Sequence, residues 1–411
     1  MKKTFFELED IENLIFQKDI ILLPSVTELF ELRLAYLEFK MLKRKELINR
    51  GAYFESIGNI KTKHFQLCYN SFIENDKNRS QLTNNYFKNG KFSTGYATHG
   101  LFPYRGKFHP QLIKAIMNII GIKKRETILD PMCGSGTTNI EASLMGINSY
   151  AADLSPFCKF MTKVKYESLD LDINLLSKIT DKTEEFFYFL STNSYPDMLK
   201  KAQLVKKEKI YNLVLLAYLD ALGYSKRVKQ SSHKQLFKKV LKRYVETVLN
   251  FNKKNTSKLG NLKILDNSTA TNLKINNGSV DGVITSPPYS FAIDYLKNDK
   301  PHLEYFGVNI NKLREKMIGL MGRNKKERLE NYFIEMDKVC KEISRVLKNG
   351  KFLVMIIGSN TKQTGGIKLE TSIIASCSKY NLKLKKNIIK PIKGMRNTMK
   401  EENILFFRKE I

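Results

Sequence analysis

Thr127-Ile128-Leu129-Asp130-Pro131-Met132-Cys133-Gly134-Ser135-Gly136-Thr137-Thr138 is the stretch on which the fold turns. Its first residues read as a short buried strand ending at an acid. A glycine-rich loop then reverses the chain, because glycine tolerates positive φ and lets a ligand approach the backbone closely. A helix over 138–145 follows, with Gly146 as its stop. Ser149-Tyr150-Ala151-Ala152-Asp153 is the next strand, and Asp153 lies 23 residues beyond Asp130. That is the distance at which a βαβ unit offers a carboxylate to ribose hydroxyls. The loop N–H groups suit a carboxylate, and Asp130 suits an ammonium. No Gly-Lys-Ser/Thr follows, which disfavours ATP.

The second informative stretch is Val280-Asp281-Gly282-Val283-Ile284-Thr285-Ser286-Pro287-Pro288-Tyr289. An apolar, β-branched strand runs into a serine, two prolines and a tyrosine. The prolines permit neither a continued ladder nor an immediate helix. They hold the chain extended at a strand's carboxyl end, where open α/β sheets bind ligands. Nearby carbonyls keep spare acceptor capacity, because proline has no N–H. A hydroxyl, free carbonyls and a phenol ring suit a flat base with an exocyclic amine.

These two stretches resemble motifs I and IV of the S-adenosylmethionine-dependent DNA amino-methyltransferases. The likeness covers residues 94–153 and 262–407. It implies an α/β fold: a Rossmann-like, seven-stranded, mostly parallel sheet whose last strands form an antiparallel hairpin. It also implies S-adenosylmethionine held by Asp130, Pro131, Cys133, Gly134, Ser135, Gly136 and Thr137. Asp153 would take the ribose, and Asp266, or its neighbour Asn267, the adenine amine. Thr98, His99 and Phe102, in a loop dense in glycine, proline, aromatics and bases, would line the methionine end. Ser286, Pro287, Pro288 and Tyr289 would be the catalytic set.

A serine before Pro-Pro-Tyr resembles the cytosine-N4 enzymes; Asp or Asn there is typical of adenine-N6 enzymes. The partner implied is double-stranded DNA with its target base flipped out. A cognate restriction endonuclease would act on the same site, in a restriction-modification system. Other readings are an adenine-N6 enzyme, an RNA or protein amide methyltransferase on the same sheet, and a nucleic-acid-binding protein that keeps the fold without activity. A dinucleotide oxidoreductase shares the Asp153 spacing but not the Pro-Pro-Tyr element.

Composition agrees with a nucleic-acid partner. The 411 residues carry 70 Lys+Arg against 41 Asp+Glu, a net charge of +29, which favours a polyanion. Abundant Lys, Asn and Ile also suggest an AT-rich coding bias that would raise lysine everywhere. The excess is concentrated: residues 200–258 hold 16 Lys/Arg against Glu208, Asp220 and Glu246. Hydrophobic residues, at 42%, are enough for a folded core. The apolar run 212–222 is too short to span a bilayer, and Met1-Lys2-Lys3 is followed by acids, so a cytoplasmic location is expected. Cys68, Cys133, Cys158, Cys340 and Cys377 show no metal-ligand spacing, and no metal is expected. Trp is absent, so base stacking falls to Tyr or Phe.

Four segments follow: a helical region over 1–91, with a helix across 26–47 ending in Lys43-Arg44-Lys45; the first part of the sheet over 92–157; a basic helical insertion over 158–259, the candidate DNA-binding region; and the rest of the sheet over 260–411. In the last, a helix over 330–347 is expected to stop at Lys348-Asn349-Gly350.

Overall fold

A computed structural model describes residues 14–23, 25–74, 95–104, 106–226, 231–255, 257–288, 294–358, 366–392 and 401–411. Tyr289 and the basic loop residues Lys393, Arg396 and Asn397 lie outside the described residues. The chain forms two compact units, Met1–Tyr96 with Phe108–Ile122, and Ala97–Lys107 with Lys123–Ile411.

The first unit contains more than the expected helices. Strands β1 (Ile20–Leu22), β2 (Phe54–Ile57) and β3 (Ile60–Lys61) make a small antiparallel sheet. The helix expected across 26–47 is two, Leu29–Met41 and Arg44–Arg50. Leu42 and Lys43 are extended between them, and Glu46 accepts the Lys43 N–H at 3.0 Å, an N-terminal cap that outweighs the apolar periodicity. Buried Glu38 accepts the Ala52 N–H and an Nδ2–H of Asn118, the latter from helix Pro110–Ile119. Burial pushes its carboxyl up to about 7.

The second unit is built on a seven-stranded sheet. Its strands are β4 (Thr127–Asp130), β5 (Asn148–Ala151), β6 (Leu262–Ile264), β7 (Val280–Thr285), β8 (Leu347–Gly358), β9 (Leu382–Pro391) and β10 (Glu401–Lys409). Their order is β6-β5-β4-β7-β8-β10-β9. All run parallel except β10, which is antiparallel to both β8 and β9. The order reverses direction at β4, so β4 and β7 lie side by side at the topological switch point, where open sheets bind ligands.

Both faces of the sheet are covered, which is why β7 is buried at every residue. Leu129, Val283, Leu353, Leu405 and Phe407 share one core with helices Lys325–Val346 and Leu369–Lys379. The expected stop at Gly350 is corrected. Helix Lys325–Val346 ends at extended Leu347, and β8 starts there. Gly350, at φ 75°, sits where the β7–β8 register jumps from Val280↔Leu347 to Gly282↔Phe352. Glycine serves a bulge there.

The segment between β5 and β6 is helical. Pro156–Glu167, Thr183–Thr192, Tyr195–Leu204, Glu208–Ser225 and His233–Lys254 are its main elements. The amphipathic pattern in the last is real: Leu236, Phe237, Leu241, Tyr244, Val245, Val248 and Phe251 are buried. This layer shares a core with Phe102, and with Leu296, Leu303 and Leu313 from the chain after β7. It also holds the loop before β4. The Phe102 N–H donates to the Tyr244 hydroxyl at 2.6 Å, and that hydroxyl donates to Asp220 Oδ2 at 3.0 Å. Arg243 donates to the same oxygen at 2.9 Å.

Tyr244→Phe keeps the ring and strands a buried N–H. Urea titration should show a loss of about 1–3 kcal/mol in unfolding free energy. An unchanged midpoint would mean that this network does not hold the loop.

Candidate functional site

Four neighbouring strand ends carry the residues singled out in the sequence. β4 delivers Asp130 and the glycine loop. Gly134 and Gly136 have φ of 49° and 75°. Gly136 is the left-handed N-cap of helix Thr137–Leu144. A Cβ there would stand 2.7 Å from Thr162 Oγ1 and 2.8 Å from its Cγ2, so a larger residue would displace helix Pro156–Glu167. Pro131, Cys133, Ser135 and Thr137 are buried, whereas Met132 and Gly134 are partly exposed. The loop therefore supports from within and offers a ligand mainly Met132 and Gly134. Ser135 and Thr137 pair through their hydroxyls at 3.2 Å.

β5 delivers Asp153, two residues past its end. Oδ2 accepts the Gly134 N–H at 2.9 Å and Oδ1 the Ser155 N–H at 2.8 Å. Burial raises the carboxyl's pKa, and these bonds oppose the rise. A carboxylate keeps further lone pairs beyond two such bonds. β6 delivers Asp266, also two residues past its end and exposed; its backbone carbonyl accepts from Lys159 Nζ at 2.8 Å.

β7 delivers Ser286, Pro287 and Pro288. Pro287 is buried and the other two are partly exposed. Just before them the Thr285 hydroxyl donates to Asp130 Oδ1 at 3.0 Å. Oδ1 also accepts the Met132 N–H at 3.2 Å. Asp130 is 1% exposed, and burial pushes its carboxyl up to about 7. It is thus a tie between β4 and β7, with its bonds directed inward.

In the loop before β4, His99 Nε2 donates to Glu141 at 2.9 Å, on the helix after the glycine loop. Burial lowers the imidazole's pKa, against the pull of Glu141. Thr98 is buried, and its hydroxyl has no hydrogen-bond partner among the described residues. The Phe102 ring packs on Phe157 at 5.0 Å and on His302 at 5.2 Å, inside the helical layer. The aromatic ring over the glycine loop is Tyr104: its Cε1 is 3.7 Å from where a Cβ on Gly134 would stand.

Three further residues were not singled out by sequence. Tyr104 reaches Cys158 Sγ at 3.4 Å and Asp299 Oδ2 at 3.5 Å, and its ring stacks near Tyr295 at 6.4 Å. Asp299 belongs to helix Tyr295–Tyr305, which follows the Pro-Pro element. Lys165, 1% exposed, donates to the Ser135 carbonyl at 3.2 Å, and burial pulls its pKa down to about 7. Asn298-Asp299-Lys300 reads as a solvated helix turn, and Lys165 as one lysine among many. Nothing in their spacing distinguishes them.

Residues 101–222 match the family described as "UPF0020: RMKL-like, methyltransferase domain". The chain is 25% identical over 322 residues to the Type II methyltransferase M.BsoBI of Geobacillus stearothermophilus, covering 62% of this chain and 63% of that one. It is 30% identical over 153 residues to the Type II methyltransferase M.MjaII of Methanocaldococcus jannaschii, covering 36% and 28%. A tRNA (guanine(10)-N2)-dimethyltransferase of Methanothermobacter thermautotrophicus is 43% identical over 53 residues, covering 13% and 16%. The chain therefore spans less than two thirds of the length of each of these relatives.

S-adenosylmethionine is the cofactor that goes with this fold and these motifs. The residues present fit it. Gly134 of the glycine loop is partly exposed, a buried Thr98 hydroxyl lacks a partner among the described residues, and burial raises three nearby carboxyls, Asp130, Asp153 and Asp299. A cationic ligand would relieve that acidity.

Thr285→Val tests the tie at the base of the site. It should cost about 1–3 kcal/mol in urea unfolding at pH 8, where Asp130 is ionised in both states. The cost should shrink at pH 5. A folded-state pKa raised to about 7 keeps Asp130 protonated there, and no charged acceptor is lost. Equal costs at both pH values would refute a bond to an ionised Asp130.

Proposed function

We propose that this chain, a relative of the S-adenosylmethionine-dependent DNA amino-methyltransferases, methylates the exocyclic N4 amine of cytosine in double-stranded DNA. The observation that carries the reading is the placement of Ser286-Pro287-Pro288 at the carboxyl end of β7, beside the glycine loop at the end of β4. Bound S-adenosylmethionine supplies an electrophilic methyl group. The protein's task is to hold an amine in line with it and to make its lone pair available.

Ser286 Oγ and the Pro287 carbonyl would accept the two amine hydrogens. Those bonds draw the nitrogen towards tetrahedral geometry and localise a lone pair otherwise spread into the ring. Tyr289 would stack on the base. A base inside a duplex cannot reach such a strand end, so it has to be flipped out. Gly134 and its loop would face the amino-acid part of the cofactor, Asp153 the ribose and Asp266 the adenine.

Nitrogen rather than carbon is the acceptor in this reading. Carbon-5 methylation needs a thiolate that adds to the ring. Cys133, the cysteine of the loop, is buried, and burial pushes its thiol well above the usual range. The choice of cytosine over adenine rests on Ser286 standing where the adenine-N6 enzymes have Asp or Asn. Two relatives carry the name Type II methyltransferase, which supports a place beside a restriction endonuclease acting on the same sequence.

The helical insertion is the proposed DNA grip. Lys238, Lys239 and Lys242 lie exposed on helix His233–Lys254, opposite its buried stripe. Arg243, on the same helix, is also exposed and reaches Asp220.

Two measurements test the reading. Labelled methyl transfer to DNA and to RNA, followed by nucleoside mass spectrometry, should give N4-methylcytosine from DNA. Ser286→Ala should lower turnover and leave cofactor affinity nearly unchanged. N6-methyladenine would move the chain to the sister specificity, 5-methylcytosine would overturn the mechanism, and product in RNA alone would follow the tRNA-modifying relative. Separately, replacing Lys238, Lys239 and Lys242 by Gln should flatten the log–log salt dependence of DNA binding by about one unit for each phosphate no longer neutralised. An unchanged slope would make this helix face merely solvated.

A further inference from the structure

Asp299 is a buried carboxylate with little to hold it. It is 6% exposed, on the helix Tyr295–Tyr305 that follows the Pro-Pro element. Its one hydrogen bond among the described residues is the Tyr104 hydroxyl at 3.5 Å, at the limit of such contacts. Among the described residues no Lys, Arg or His nitrogen lies within 4.0 Å of it. The groups that face it are the Tyr104 phenol from the loop before β4, the Cys158 thiol from helix Pro156–Glu167, Asp153 from the end of β5, and Tyr295 on its own helix. None is cationic. A second carboxylate nearby makes burial of the first still less favourable.

The position explains what such a group is for. Tyr104, which touches Asp299, also lies over Gly134, the partly exposed glycine of the loop. Asp299 therefore borders the same backbone to which the amino-acid end of a cofactor would be held. The other two acids of the loop already accept hydrogen bonds, two each, where Asp299 has only the long one among the described residues. Asp130 serves Thr285 and Met132, and Asp153 serves the N–H groups of Gly134 and Ser155. An amino-acid ammonium arriving over Gly134 brings three donors and a positive charge.

We propose that Asp299, positioned by Tyr104, is the carboxylate that pairs with the ammonium group of the bound methyl donor. The proposal rests on the cofactor reading above and replaces Asp130, the sequence's candidate for this contact. Its energetics are consistent. Burial, with the charge of Asp153 adding, pushes the Asp299 carboxyl up to about 7 in the free protein, so the incoming ammonium displaces a proton. The sign follows. Below about pH 7 the proton competes with the ligand; above about 8 the ligand's own ammonium begins to deprotonate. Affinity is therefore greatest between those limits: it rises with pH up to about 7 and falls again above about 8.

Isothermal titration calorimetry on the full chain tests it, with S-adenosylmethionine, S-adenosylhomocysteine and 5′-methylthioadenosine as probes. The first two carry the ammonium and the third does not. Asp299→Asn should weaken the first two at least tenfold and the third less than twofold. The wild-type protein should bind S-adenosylmethionine severalfold more tightly at pH 7.2 than at pH 5.5, and Asp299→Asn should lose most of that rise.

The same variant should melt no lower than wild type at pH 8, because it removes a buried charge; this separates binding from folding. Equal losses for all three probes would mean a disturbed loop and overturn the proposal. So would a loss confined to S-adenosylmethionine, which would mark a contact to the sulfonium, or no loss at all. A wild-type protein that binds none of the probes would instead remove the cofactor reading, and Asp299's role with it.

Discussion

A single hydrogen bond, from the Thr285 hydroxyl to Asp130, joins the two halves of the candidate site. The residues are 155 positions apart in the chain, and a helical insertion lies between them. They meet because β4 and β7 are parallel neighbours, in register at Ile128↔Gly282 and Leu129↔Val283. Given that register, β7 ends one residue beyond the level of Asp130. The loop after one and the prolines after the other then open on the same side of the sheet. The bond occupies the last buried position of each strand, so a one-residue slip would turn Thr285 to the opposite face and break it. In the proposed reading, methyl donor and acceptor would be aimed at each other only while that alignment holds.

The surroundings of this bond carry more buried charge than a fold needs for stability. Asp130 and Asp299 are pushed up to about 7, and Lys165, under the same loop, is drawn down to about 7. Each ionised group would be destabilising where it sits, and each is shifted towards neutrality instead. Shifted groups of this kind cluster at binding and catalytic sites, and well-packed apolar residues in their place would be more stable. The acids lie at the strand ends and on the helix after β7; Lys165 donates to the carbonyl at Ser135, beneath the loop. A zwitterionic amino acid has complementary ends of this kind. The arrangement supports the reading of the loop as the place for the methionine part of the cofactor.

The strands that build the site were legible in sequence because each is short, apolar and closed by a recognisable stop. Asp130 and its glycines and the prolines after Thr285 fall where the periodicity placed them, and Asp153 lies two residues past its strand instead of at the strand's last position. The antiparallel β9–β10 hairpin and the long helices also follow their patterns. Three features were not legible. Gly350 carries the letters of a helix stop but serves a bulge, since pairing with β7 claims Leu347 for the sheet. Leu42 and Lys43 interrupt a well-patterned helix because Glu46 caps the next one. Tyr104, Lys165 and Asp299 acquire their meaning only from tertiary contacts. A lone Asp between Asn and Lys has the signature of a surface residue, and only burial reveals otherwise.

The insertion between β5 and β6 changes what the basic helices can do. Its apolar stripe is not a module of its own, because Leu236, Phe237 and Leu241 share a core with Phe102, Phe157 and Leu303. Phe102 precedes the glycine loop and Leu303 lies one turn past Asp299, so the two segments flanking the proposed ammonium contact are both anchored in this layer. His302 makes the same point, with Nε2 on the Leu219 carbonyl at 3.1 Å and its ring against Phe157 at 4.6 Å. Exposed Arg243 ends the chain of bonds that runs through Asp220 and Tyr244 to the Phe102 N–H. A phosphate drawing Arg243 away would leave Asp220 with less positive charge beside it and load its bond to Tyr244. Charge on the outer face of the helices is thus connected, bond by bond, to the backbone that covers the loop. If the proposed DNA grip holds, the same pair of helices would bind a polyanion and support the backbone beside the glycine loop.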